Sequence, residues 1–272
     1  MQGFDFSVLM PVYIGNTGEE VGNALKSMLN QTLHAKEIVI VRDGPVNDEV
    51  AAILSDISIY PEVKLISLEK HRGIGAALSE GIKNCSFEWI ARMDADDIAY
   101  ATRFEETVNY LQSNPGLSLV GTYYAEKSDK GKNFVRKVPA DFSKIIAFSK
   151  FRNPHSHPTV FYKKADIQDA GGYKNFYFAE DWHLWLRMFK KGYKSANIPK
   201  VLVYTQGQNY NRRLGVGALL NDIKAISVFL KEGLIGFHHF IANVVVRIVV
   251  RLMPFRLARI IYQNYLRSVT KD

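Results

Sequence analysis

The sequence predicts an α/β protein: an open, twisted, mostly parallel sheet flanked by helices, followed by an amphipathic helical extension. Three observations carry this. Apolar strand-like runs alternate with segments of helical spacing through the first hundred residues, which is the pattern of βαβ units. The fourth run, from Trp89, ends in three carboxylates within four residues, Asp94, Asp96 and Asp97, at the kind of strand end where open α/β sheets collect ligands. Residues 234–253 then change character, being mostly apolar but interrupted at every fourth position by a polar or basic side chain.

The expected strands of the first half are Phe6–Val12, Glu37–Val41, Val63–Leu68 and Glu88–Met93, and the helices between them Glu19–Asn30, Asp48–Ile57 and Ile74–Asn84. A helix over Tyr100–Gln112 should stop before Asn114-Pro115-Gly116, because the residue before proline avoids helical geometry. A strand over Leu117–Tyr124 follows, then a weakly patterned stretch from Ala125 to Lys150 that reads as a loop or hairpin. The remaining expectations are a strand at Thr159–Tyr162, a helix at Glu180–Lys191 and a strand at Val201–Tyr204. We expect one domain over residues 1–215, its halves meeting near residue 115, and a helical extension over 216–272.

The 272 residues suffice for one large domain and an appendage. A formal net charge of +8 asks for an anionic partner. The single cysteine, Cys85, excludes an internal disulfide and fits a reducing compartment. The first residues lack a basic segment followed by an apolar one, so no secretory signal is read, and a cytoplasmic location is expected.

Like charges as close as Asp94, Asp96 and Asp97 repel, and burying them unpaired is costly. Such a cluster is solvated, caps a helix, as Asp97 would for one starting near Tyr100, or surrounds a hard divalent cation such as Mn²⁺ or Mg²⁺. Three other strand ends carry unusual residues: Met10-Pro11-Val12-Tyr13, Arg42-Asp43-Gly44-Pro45, and Lys70-His71-Arg72-Gly73-Ile74-Gly75 before a helix. Glycines opening a helix permit close backbone approach to phosphate. A dinucleotide fingerprint and a P-loop are both missing, which disfavours those two nucleotide-binding classes. Nucleic-acid binding would explain the charge but not the clustered carboxylates.

Taken in order, Ser7-Val8-Leu9-Met10-Pro11-Val12-Tyr13, Ile38-Val39-Ile40-Val41-Arg42-Asp43-Gly44, Arg72-Gly73-x-Gly75, Met93-Asp94-Ala95-Asp96-Asp97 and Ala179-Glu180-Asp181-Trp182 resemble glycosyltransferase family 2 over about the first three-quarters of the chain. The resemblance implies the GT-A fold, a Rossmann-like sheet, and inverting transfer of a hexose from a nucleotide sugar, usually a UDP-sugar, with Mn²⁺ or Mg²⁺. It implies that Pro11, Val12 and Tyr13 line the base pocket and that Asp43 accepts a hydrogen bond from the base. Arg72, Gly73 and Ala95 would lie near the nucleotide. Asp94 would reach the ribose and metal, Asp96 would be the main metal ligand, and Asp97 would order the loop. Asp181 would be the catalytic base, although an acidic pair at a helix start also suits the helix dipole.

On the acceptor side, similar segments in the family suggest Asn153–Thr159, with His157 as the polar contact, and Gly171-Gly172-Tyr173 before Glu180. Trp182 is a candidate sugar-stacking face, and Trp185 reads as core. Many relatives carry a histidine after the strand at Val201–Tyr204 that completes the metal site, whereas this chain runs Thr205-Gln206-Gly207-Gln208-Asn209-Tyr210-Asn211-Arg212-Arg213. Arg212 and Arg213 are candidates for clamping the diphosphate, or form a solvated basic loop.

His239, Asn243, Arg247 and Arg251 form one helical stripe, Pro254 should break the helix, and Phe255–Arg267 continues as a basic amphipathic piece. Six Lys/Arg and one acid lie between Ile241 and Asp272. Arginines make a spanning helix costly, leaving two readings: a helix on an anionic leaflet, or helices packed on the main domain or on a second copy. The surface reading places the protein peripherally on the inner face of the cell membrane, where a lipid-linked saccharide acceptor of capsule, exopolysaccharide or O-antigen assembly would be met. The rivals are a sugar nucleotidyltransferase, disfavoured because Pro11-Val12-Tyr13-Ile14-Gly15 is not a glycine-rich basic signature, and a non-catalytic membrane- or polyanion-binding protein on the same fold.

Overall fold

The computed structural model describes residues 3–127, 133–174, 176, 179–205, 215–252 and 268–269. The first half alternates as expected: β1 (Phe6–Val12), α1 (Gly18–Leu29), β2 (Glu37–Asp43), α2 (Asp48–Asp56), β3 (Val63–Leu68), α3 (Ile74–Asn84) and β4 (Trp89–Arg92). These four strands pair in parallel in the order β3-β2-β1-β4.

Alternation along the strands decides which helix covers which face. Phe6, Val8, Met10 and Val12 share a core cluster with Val21, Ala24 and Met28 of α1, while Leu9, Val39 and Val41 join Ala77, Leu78 and Ile82 of α3 on the other face. Helix α1 starts with a capping box, in which Glu20 N donates to Thr17 Oγ1 (3.2 Å) and Thr17 N donates to Glu20 Oε2 (2.9 Å). Gly81 lets α3 lie close on the sheet, since a Cβ there would sit 2.2 Å from Leu9 Cδ1.

Beyond β4 the sheet becomes mixed. The chain adds β5 (Asp97–Ala99), α4 (Arg103–Ser113), β6 (Leu119–Lys127), β7 (Asn133–Arg136), α5 (Phe142–Ser149), β8 (Phe161–Lys163), α6 (Lys164–Asp169), α7 (Glu180–Lys190) and β9 (Ser195–Thr205). Strand β8 lies antiparallel between β4 and β6, and β9 runs parallel along β6. The hairpin expected between Ala125 and Lys150 exists as the antiparallel β6–β7 pair, but α5 was not anticipated. Strand β9 starts six residues before the expected strand.

The helix expected at Tyr100 starts later, at Arg103, because the chain stays extended. Asp97 pairs with Thr205 in β5–β9, and Tyr100 N donates to Leu202 O (3.0 Å). Asp97 is therefore a strand residue and caps no helix.

Helices α8 (Val216–Lys231) and α9 (Phe237–Leu252) follow, and a short strand β10 (Ser268–Val269) pairs antiparallel with β7. Ala225, Ile226 and Phe229 of α8 pack on Trp182 and Leu186 of α7. The polar stripe of α9 faces inward onto the domain. Asn243 is buried and donates to Lys150 O (2.8 Å), while Arg247 and Arg251 reach Asp222 at 3.4 and 2.8 Å. Asp222 and the Trp182 ring, 5.3 Å below Arg247, compensate guanidinium groups that would otherwise seek water. Pro254 and the basic piece Phe255–Arg267 lie outside the described residues.

Candidate active site

The acidic turn is held at the carboxyl end of β4 by buried arginines. Met93 N donates to Leu9 O (3.0 Å) as the chain leaves the sheet. Arg103, fully buried at the start of α4, donates through Nη2 to Arg92 O (2.6 Å) and Pro158 O (3.0 Å), tying the turn to the segment that bears His157. Arg92 donates to Asp94 Oδ1. Carboxylate oxygens of Asp94, Asp96 and Asp97 all lie within 4.8 Å of one another, and Ala95 is buried between them in sequence.

Asp96 is exposed by surface area, yet surrounding protein desolvates it, and together with the Asp94 charge raises its pKa to about 6. Burial, then the charges of Asp94 and Asp96, push Asp97 well above the ordinary carboxylate range. The cluster thus keeps protons that a bound cation would displace. That, with an all-oxygen donor set, fits a hard divalent cation.

The neighbouring strand ends form a second wall. Val12 is buried, Pro11 half-buried and Tyr13 exposed. Asp43, buried at the end of β2, accepts Arg72 N–H at Oδ1 (2.7 Å), and Gly73 N–H and His71 Nδ1 at Oδ2 (both 2.9 Å). Its charge orders the loop that opens α3. Three of about four lone-pair positions are taken, leaving room for one further donor. Gly44 is required there, because its φ is +82° and a Cβ would lie 2.5 Å from His71 N. The His71 and Tyr13 rings stand 6.2 Å apart beside this loop, and the Arg72 residue is exposed.

The third group gathers around the first turn of α7. Asp181, 8% exposed, accepts its neighbour's Trp182 N–H at Oδ1 (2.7 Å) and the Asn153 side-chain amide at Oδ2. His157 Nδ1 lies 3.9 Å from Asp181 Oδ2, and its Nε2 pairs with Tyr173 OH at 2.9 Å. Burial raises the Asp181 pKa, and burial plus the Asp181 charge raise Glu180 to about 8. Burial, with the Arg92 charge, holds His157 neutral. Glu180 Oε2 is buried with no hydrogen-bond partner among the described residues.

The segment bearing Asn153 and His157 is anchored by His155. Its buried ring bonds Asn197 Oδ1 (2.7 Å) and Ser195 Oγ (3.0 Å), and Asn197 Nδ2 donates to Pro154 O (3.1 Å). Gly171 and Gly172 close α6 at positive φ, and Gly172 O accepts from Arg187.

The acidic turn and the Asp181 group share one neighbourhood. Arg103 bridges Arg92 to Pro158, beside His157, and the Arg92 charge acts on Asp181, Glu180 and His157. Trp182 is a correction. Its indole is buried on Phe229, with ring centroids 5.0 Å apart, and donates Nε1–H to Ser149 O (2.8 Å), so it offers no face to a sugar. Trp185 is fully buried core, as its spacing indicated. Arg212 and Arg213 lie outside the described residues. Sequence reasoning gave no role to Arg92 or Arg103, and it placed Asn153 and Tyr173 in acceptor-side segments without a role of their own. Only Arg92, a charge within an otherwise apolar strand run, carried a signal that could have drawn notice.

A sheet of this topology with a carboxylate cluster beyond its central strand and a buried carboxylate opposite is the arrangement of a GT-A glycosyltransferase. The profile described as glycosyl transferase family 2 matches residues 7–169, and the chain belongs to that family. It is 35% identical over 268 residues to the UDP-Gal:alpha-D-GlcNAc-diphosphoundecaprenol beta-1,3-galactosyltransferase of Escherichia coli, covering 96% of each chain. It is 32% identical over 261 residues to the amylovoran biosynthesis glycosyltransferase AmsE of Erwinia amylovora, covering 95% of this chain and 98% of that one. In fold it matches residues 1–349 of S. aureus TarS in complex with UDP-GlcNAc, with a TM-score of 0.65 and 17% identity over 90% of this chain and 72% of that one. It also matches the Pyrobaculum calidifontis mannosyltransferase PcManGT in complex with GDP-Man and Mn²⁺, with a TM-score of 0.58 and 19% identity over 81% and 60%.

Proposed function

We propose that this glycosyltransferase moves a hexose from a UDP-sugar to a lipid-linked saccharide by a single inverting displacement, with Asp181 as the base. The observation that carries the reading is Asp181 itself. It is a buried carboxylate with a raised pKa, aimed by two hydrogen bonds, in the same arginine field as the acidic turn. A general base works best when its pKa lies near the working pH and its lone pair is fixed.

In this reading residues 1–215 are the catalytic domain. Pro11, Val12, Tyr13 and Asp43 receive the base, and Arg72, Gly73 and the N-terminal amides of α3 face the diphosphate. Arg212 and Arg213 are assigned to the diphosphate on the chemistry of guanidinium alone. Asp94 and Asp96, with Asp97 behind them, would hold Mn²⁺ or Mg²⁺, which supplies charge stabilisation to the departing diphosphate. Asp181 takes the proton of the attacking hydroxyl, Asn153 holds the carboxylate in place, and His157, neutral, contacts the acceptor. Glu180, raised to about 8, remains protonated at neutral pH beside Asp181 and so adds no second negative charge.

The lipid-linked acceptor rests on the undecaprenol-linked substrate of the E. coli relative, and the nucleoside diphosphate-sugar donor on the complexes of the two structural neighbours. Such an acceptor requires a membrane surface, here the cytoplasmic face. The test is the product anomer by NMR together with Asp96→Asn. An inverted linkage, and loss of metal-dependent UDP-sugar binding in the variant, are expected. A retained anomer, or unchanged metal dependence, would remove the assignment.

A further inference from the structure

The outer face of α9 is apolar and has nothing packed on it among the described residues. Phe237, Ile241, Val245, Val246, Ile248, Val249 and Leu252 are each between 41% and 68% exposed, while the same helix turns Asn243, Arg247 and Arg251 inward. An ordinary surface helix does the reverse. The face continues onto Val216 and Leu220 at the start of α8, which Gly215 N joins to Arg251 O at 2.9 Å. A contiguous patch of this kind exceeds what a monomer leaves to water without a use for it.

We propose that this face of α9 inserts into the headgroup region of an anionic bilayer and delivers the acceptor side of the active site to the membrane. Charge selects the bilayer over a second copy of the chain. Both acids of residues 215–252 are paired within the fold, Asp222 with Arg247 and Arg251 and Glu232 with Lys174. Lys224 and Lys231 stay exposed, and residues 253–272 add Arg256, Arg259, Arg267 and Lys271 against Asp272. Two copies meeting here would bring like charges together, whereas anionic lipid neutralises them. Over its described residues α9 spans about 24 Å, and with Asn243, Arg247 and Arg251 held inward it lies in the interface rather than crossing. No helix among the described residues is long and apolar enough to span.

Position supports the same occupant. The inward side of α9 bonds Lys150 O and Phe151 O, and Asn153, two residues on, holds Asp181. A bilayer against the outer side of α9 would therefore lie on the side of the molecule where this segment holds Asp181.

The inference takes from the proposed function only that the acceptor is carried by lipid, and vesicle binding is its deciding readout. The full chain is floated with vesicles of phosphatidylcholine alone or with about one-third phosphatidylglycerol. Val245→Glu/Val249→Glu, two exposed positions one turn apart, is compared with wild type, with melting temperature as the folding control. Wild type should float with the anionic vesicles, and the double variant should bind about tenfold less or worse while transferring normally to a water-soluble acceptor. Quenching of a Val246→Trp chain by brominated lipid gives the same answer without new charge. The proposal is overturned if the double variant floats like wild type. It is equally overturned if wild type remains unbound, either as a dimer that the variant dissociates or as a monomer whose own residues 253–267 shield the face.

Discussion

If Asp181 is the base, removing the Asn153 amide should raise the pKa of its carboxylate and move the acidic limb of the pH–rate profile with it. Asp181 has two hydrogen-bond donors, the Trp182 backbone N–H at 2.7 Å and the Asn153 side chain, and is almost wholly buried. Burial raises its pKa and both donors oppose that rise. A hydrogen bond to a charged group contributes about 1.5–3 kcal/mol, which corresponds to about one to two pKa units. Asn153→Ala removes that contribution, so Asp181 binds its proton more tightly and the fraction ready to act as base falls at any fixed pH below the new value. The assay is kcat against pH with saturating donor and acceptor, alongside donor affinity by calorimetry. The acidic limb should move up by about one to two pH units with donor affinity unchanged, and Asn153→Asp, which sets a like charge beside Asp181, should move it further. An acidic limb that stays in place in both variants would refute the claim that Asn153 tunes Asp181.

Gly121→Ala should loosen the acceptor side without touching substrate. A Cβ at residue 121 would lie 2.4 Å from Asn197 Oδ1 and 3.2 Å from His155 Nδ1, disturbing the bonds that anchor residues 153–159. We expect a loss of about 1–3 kcal/mol in denaturant unfolding and a lower kcat, and wild-type values for both would contradict it. Without divalent cation, stability should fall as pH rises. The native pKa of Asp96 is raised from 3.8 to about 6 and that of Glu180 from 4.5 to about 8, so between these limits the folded chain holds protons that the unfolded chain has released. Melting temperature in EDTA should therefore decline from about pH 4 to about pH 8, with Mn²⁺ restoring more at the alkaline end. A flat or rising curve would count against the crowded carboxylates.

Much of this was legible in the letters because local physics and tertiary structure agree in the first hundred residues. Strands β1 and β3 and helix α3 have the boundaries that periodicity gave, and the acidic turn falls at the end of β4 where the sheet predicts a ligand. What was hidden depends on contacts between distant segments. Asp97 was readable as a cap for a helix starting near Tyr100, yet pairing with Thr205 holds it in a strand. The hydrogen bond from Asn153 to Asp181 spans 28 residues, and that from Arg103 to Pro158 spans 55, separations that no pattern of spacing encodes. The α9 stripe was legible as a stripe, but spacing alone left open whether it faced the domain or a membrane. Arginine every fourth residue suggests a wet face unless Asp222 and Trp182 are known to wait beneath it.

Asp181→Asn tests the central claim most directly, since it preserves shape and the Asn153 contact while deleting the proton acceptor. Donor binding by calorimetry with Mn²⁺ present, and sugar transfer by product analysis, are measured on the same preparation. The account predicts donor affinity close to wild type and transfer reduced at least about a thousandfold, the upper part of the range for losing a general base. Transfer at a near wild-type rate would mean that another group takes the proton, and the carboxylate at the start of α7 would lose the role on which the mechanism rests.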